Sequence, residues 1–139
     1  MNDQKDNATE QPAGFAEVPI LVVEDNPSSM RLARSILSSS GFEVLEAGSG
    51  EEALKAVRET PPDLILMDMR LPGISGLEAT QLIKAHDNLR DVPIVAVTAS
   101  ALKGDKEKIL AGGCDGFIAK PISIPNFLAT IAQFLGESS

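Results

Sequence analysis

The chain has 139 residues, of which 43% are hydrophobic and 4% aromatic, with no Trp or Tyr and a formal net charge of −8. That length fits one domain able to bury roughly two-thirds of its unfolded surface, around a core of Val, Ile, Leu and Ala. The negative charge, without a local Lys/Arg cluster, argues against nucleic-acid binding by this chain alone, and the few aromatics argue against base stacking.

The single cysteine, Cys114, has no partner for an intramolecular disulfide. The polar, acidic start lacks the basic end and apolar run of a signal peptide. No apolar run approaches the about 18 residues of a membrane span. These features predict a cytoplasmic protein with no membrane insertion.

Residues 1–17, rich in Asn, Asp, Gln, Glu and Thr, predict a flexible N-terminal tail, and residues 18–139 a single domain. Within that domain, short apolar runs alternate with longer segments of helical period, the pattern of a parallel α/β sheet. Five strands are predicted at residues 20–24, 42–47, 63–68, 92–98 and 116–119. Three are near-continuous aliphatic stretches, as strands buried on both faces require. The second, with Glu43 and Glu46, reads as an edge.

The intervening segments carry helix punctuation. Asn26 with Pro27 opens a first helix that places Met30, Ala33, Ile36 and Leu37 on one face and ends at Gly41. Ser49 and Glu52 have capping-box spacing before Ala53, Leu54 and Val57, and Pro61-Pro62 stops that helix. A third runs from about residue 75 to 85, with Leu77, Ala79, Leu82 and Ile83 as its apolar side. The fourth, about 103–112, has only Ile109 and Leu110 near its end, which marks it as the most mobile. The last begins at Ser123 and directs Phe127, Leu128, Ile131, Phe134 and Leu135 inward.

In an open parallel sheet, ligands gather at the carboxyl ends of the strands. The polar residues there are Glu24 and Asp25 after the first strand, Asp68 ending the third, Thr98 ending the fourth and Lys120 just past the fifth. Three carboxylates converging on one pocket repel one another, and a hard divalent cation with oxygen ligands is the simplest remedy. Magnesium fits this set, with Asp25 and Asp68 as ligands and Glu24 acting through water.

The strings ILVVEDN, DLILMDMRLPGISGLE, VPIVAVTA and FIAKPIS resemble the receiver domain of two-component response regulators over about residues 19–136, and the short stand-alone receivers in particular. The resemblance implies a (βα)5 doubly wound, flavodoxin-like fold whose parallel five-stranded sheet has the order 2-1-3-4-5. It implies that Asp68 accepts a phosphoryl group from a histidine kinase or histidine phosphotransfer protein, and that Mg2+ is held by Glu24, Asp25, Asp68 and the Arg70 backbone carbonyl. Thr98, the Ala99 backbone and Lys120 would bind the phosphoryl oxygens, and Pro121, at the family's cis-proline position, would aim Lys120 inward. Thr98 and Phe117 would form the switch, changing a face of about residues 101–136 read by a downstream protein. Without the resemblance, Phe117 reads as an ordinary core aromatic.

Rival readings are weaker. Gly48-Ser49-Gly50-Glu51-Glu52-Ala53 matches a dinucleotide-binding GxGxxA, but two glutamates stand where a pyrophosphate must bind. A phosphatase with an aspartyl-phosphate intermediate needs a second acid two residues after Asp68, and Arg70 is there. His86 reads as a solvated or capping residue and Cys114 as a small packed one. A phosphorylation-independent scaffold, or a receiver excised from a hybrid histidine kinase, is the remaining alternative. The sequence stops soon after the last helix, so output through a partner protein rather than an attached domain is expected.

Overall fold

Five aliphatic runs, each too short to bury itself alone, pair side by side. A computed structural model describes residues 18–99 and 102–135; the expected tail at residues 1–17 lies outside them, as do residues 101 and 136 at the two ends of the expected partner-facing surface. The strands are β1 (Pro19–Val23), β2 (Glu43–Ala47), β3 (Leu64–Asp68), β4 (Ile94–Thr98) and β5 (Gly116–Ala119), all parallel, in the order β2-β1-β3-β4-β5. The charged second strand is an edge, as its sequence predicts, and the aliphatic β1, β3 and β4 are central.

Alternation along these strands builds two cores. Leu21, Val23, Ile65, Met67, Ile94 and Ala96 face one side, where α2 (Gly50–Glu59), α3 (Gly76–Lys84) and α4 (Lys103–Ala111) contribute Ala53, Val57, Ala79, Ile83 and Ile109. Ile20, Val22, Leu64, Leu66, Val95 and Val97 face the other, covered by α1 (Pro27–Ser39) and α5 (Ile124–Leu135) through Ala33, Ile36, Leu37, Phe127 and Ile131. Each fully buried Val, Leu, Ile, Phe or Met among them contributes about 1.5–3 kcal/mol. This is the doubly wound, flavodoxin-like arrangement expected from the sequence.

The helix starts follow local chemistry. Asn26 Oδ1 accepts the Ser28 and Ser29 N–H groups at 2.9 and 3.0 Å, with Pro27 at the first helical position. Ser49 caps α2 through the Glu52 N–H, while Glu52 Oε1 accepts the Gly48 N–H at 2.7 Å, one residue before the reciprocal partner of a standard capping box. Those contacts engage amides that a GxGxxA pyrophosphate site would need.

Two expectations are corrected. Leu82 is 44% exposed and Leu110 46% exposed, although both were expected on apolar faces. Leu82 stands about 100° around α3 from Ile83. The inward place goes to Thr80, which is fully buried and donates its hydroxyl proton to the Gly76 carbonyl at 2.9 Å. Leu110 follows Ile109, the one buried residue of α4 among those described, and lies off that position. A short 3-10 helix at Asp87–Leu89, not foreseen, buries Leu89 between α3 and β4. Among the described residues, no helix is long and apolar enough to cross a membrane.

Candidate functional site

Parallel register brings the site together. Val23 pairs with Met67, so Glu24 and Asp68, each the next residue, stand side by side at the sheet's carboxyl edge. Asp68 pairs with Val97 and Thr98 with Ala119, which puts Thr98 and Lys120 on the neighbouring strand ends. A cleft of about 290 Å³ is lined by Glu24, Asp25, Asn26, Ser29, Asp68, Met69, Arg70, Thr98, Ala99 and Lys120. A larger cavity of about 430 Å³ lies to one side, between α1 and β2, and shares only Glu24 with this set.

The three acids are close and unequally solvated. Glu24 and Asp68 are 7% and 6% exposed, whereas Asp25 is exposed, and each offers a carboxylate oxygen within 4.8 Å of the others'. Glu24 Oε2 accepts the Asn26 N–H at 3.1 Å, and Asp68 Oδ1 accepts the Arg70 N–H at 3.0 Å. Lys120 Nζ reaches 3.3 Å from Glu24 Oε1 and 3.7 Å from Asp68 Oδ2. Burial pushes the Glu24 carboxyl above its ordinary value; the Asp68 carboxylate adds to that rise, while the Asn26 N–H and the Lys120 charge oppose it.

That rise marks a carboxylate first taken out of water and then set beside a second acid, with one lysine opposing both. An all-oxygen donor set with an exposed member, open to water, suits a small hard cation such as Mg2+. These three carboxylates fit it.

Of the other residues singled out in the sequence, Phe117 on β5 is half-buried and packs against the core beneath α2, α3 and α4, with Lys106 Nζ 4.9 Å from its ring centroid. The Lys120–Pro121 peptide is cis, and Pro121 lies beyond the cleft's lining. His86 is exposed on the connection between α3 and β4, and Cys114 is buried with Sγ 3.7 Å from Thr80 Oγ1, its thiol pKa raised by burial. The lining residues Asn26, Ser29 and Met69 were not singled out for the site. Asn26 and Ser29 carried a signal only as the cap and first turn of α1.

The arrangement defines a doubly wound α/β protein with an acidic, lysine-bearing crevice at its strand ends. The family model for the response regulator receiver domain matches residues 20–132, and the chain belongs to that family. It is 50% identical to the polar-differentiation response regulator DivK of Brucella anthropi, over 86% of this chain and 97% of that one. Among solved structures it resembles the receiver domain of the sensor histidine kinase PA1611 from Pseudomonas aeruginosa PAO1, which has a magnesium ion coordinated in the active-site cleft; identity is 38%, TM-score 0.81, and coverage 87% of this chain and 99% of that one. It also resembles the receiver domain of Ssk1 from Saccharomyces cerevisiae, crystallised with the histidine phosphotransfer protein Ypd1, at 31% identity and TM-score 0.80, covering 86% and 90%.

Proposed function

We propose that this chain is a response regulator that accepts a phosphoryl group on Asp68, with Mg2+ bound beside it, and passes the signal through a change in its own surface. The carrying observation is the convergence of Glu24, Asp25 and Asp68 within 4.8 Å, with Lys120 reaching two of them. Asp68 Oδ2, with Lys120 Nζ 3.7 Å away, would form the bond to phosphorus as the bond to the donor breaks. Its other oxygen stays oriented by the Arg70 N–H. The transfer has a loose transition state, so positioning and charge neutralisation do most of the work. Magnesium, held by the three acids and the Arg70 carbonyl, would supply part of that neutralisation. Lys120 supplies a compact charge, and the Ala99 backbone and Thr98 hydroxyl complete the phosphoryl surroundings.

The new charge drives the switch. Thr98 turning toward a phosphoryl oxygen makes room beside Phe117, on the face formed by α4, β5 and α5. Moving such an equilibrium from 1:99 to 99:1 takes about 5.5 kcal/mol, within reach of a few charge-assisted hydrogen bonds at about 1.5–3 kcal/mol each. Pro121 shapes the loop that presents Lys120.

The donor is a histidine kinase or a histidine phosphotransfer protein, a reading supported by the Ssk1 likeness. The chain is then a phosphoacceptor in the cytoplasm that assists its own modification, not an enzyme with a released product. The DivK likeness, at 50% against 38% for the kinase-borne PA1611 receiver, favours a regulator acting through its own surface. Intact mass after incubation with acetyl phosphate tests this reading. One phosphoryl group gained with magnesium and none in EDTA supports it; no gain by a folded protein that also binds no magnesium favours the phosphorylation-independent scaffold.

A further inference from the structure

The loop between β3 and α3 carries Arg70, and its anchoring has a source outside the strand-end site. Its base is fixed by its own backbone: the Arg70 N–H donates to Asp68 Oδ1 at 3.0 Å and the Gly76 N–H to the Met69 carbonyl at 3.3 Å. Its tip touches the start of α2. There Glu51 Oε2 accepts the Ile74 N–H at 3.4 Å, joining segments 23 residues apart.

The packing around this contact is built for it. Gly73 has φ +74°, and a Cβ there would stand 2.7 Å from Glu51 Oε2 and 3.0 Å from Oε1. On the other side, a Cβ on Gly50 would stand 2.5 Å from Ile74 Cγ1. The carboxylate of residue 51 and the side chain of Ile74 thus each fill space left by a glycine of the opposing segment. The loop tip interlocks with α2 across two contacts.

We infer that Glu51 is a positioning residue for the metal and phosphoryl site: by tethering Gly73 and Ile74 to α2 it fixes the loop that carries Arg70 and orients Asp68. This rests on the function proposed above. An acid in the first turn also favours the helix dipole, but that role would be lost equally in Glu51→Gln and Glu51→Ala and would leave the metal site untouched. The tether separates the two, because a glutamine amide oxygen still accepts the Ile74 N–H.

The test compares wild type, Glu51→Gln and Glu51→Ala in three readouts: calorimetric titration with Mg2+ alone, hydrogen exchange of the Ile74 amide without metal, and melting temperature. Loss of one hydrogen bond predicts faster Ile74 exchange and weaker Mg2+ binding in Glu51→Ala, each by roughly two- to tenfold. Glu51→Gln should stay near wild type in both, and Glu51→Ala should melt below Glu51→Gln, since only the alanine variant loses the Ile74 hydrogen bond as well as the charge at the helix start. Wild-type Mg2+ affinity in Glu51→Ala, or equal weakening in both variants, overturns the inference while leaving the functional reading intact. A wild type that binds no Mg2+ removes that reading, and the inference with it.

Discussion

Lys120 Nζ lies 3.7 Å from Asp68 Oδ2, reaching from the end of β5 past the end of β4 to the end of β3. The same ammonium stands 3.3 Å from Glu24 Oε1, so one cation faces two buried carboxylates and is placed to meet whatever charge arrives on Asp68. Lys120→Ala should therefore still be labelled on Asp68 but fail to report it. Backbone amide shifts of residues 116–119 on phosphorylation, read by NMR, should be much smaller than in the wild type. Shifts of wild-type size would remove Lys120 from that role.

Glu24 gives a pH signature. Burial and Asp68 raise its folded pKa above the ordinary 4.5. An acid held above its unfolded value binds its proton more tightly when folded, so its ionised form detracts from stability. That penalty is fully present above the folded pKa and fades as pH falls through it toward 4.5. In EDTA, Glu24→Gln should raise the neutral-pH melting temperature by a few degrees and flatten the pH profile in that window. The stabilisation conferred by added Mg2+ should shrink in the same variant. A lower neutral-pH melting temperature in EDTA would show that the Lys120 contact outweighs desolvation.

How much of this was legible beforehand depended on which physical effect decided each residue. The strand-end positions of Glu24, Asp68, Thr98 and Lys120 could be read because each follows an aliphatic run, and a parallel sheet places such ends side by side. The edge position of β2 could be read from Glu43 and Glu46. Thr80 could not, because its hydroxyl is satisfied within its own helix by Gly76, and nothing local separates that from a solvated threonine. Leu82 was misplaced for the converse reason: α3 buries a narrow stripe of Gly76, Ala79, Thr80 and Ile83. The lining by Ser29 and Met69 and the reach of Glu51 to Ile74 are tertiary contacts with no periodic signal.

The turn into α3 sets a steric limit. A Cβ on Gly76 would stand 2.1 Å from the Asp68 carbonyl oxygen and 2.8 Å from Met69 Cα, both backbone atoms that cannot rotate away. Gly76→Ala should destabilise by about 2 kcal/mol or more, as measured by urea unfolding. Gly104, exposed in α4, has nothing within 4 Å of such a Cβ. Gly104→Ala should stabilise by about 0.5–1 kcal/mol. Equal effects at the two positions would contradict this packing.

The proposed phosphoryl site can be read by chemistry specific to acyl phosphates. After acetyl phosphate and magnesium treatment, borohydride reduction converts a phosphorylated aspartate to homoserine, and peptide mass spectrometry locates it. The account predicts homoserine at position 68 and none at position 25, with the signal lost in Asp68→Asn. Homoserine at position 25, or retention of full labelling in Asp68→Asn, would contradict it.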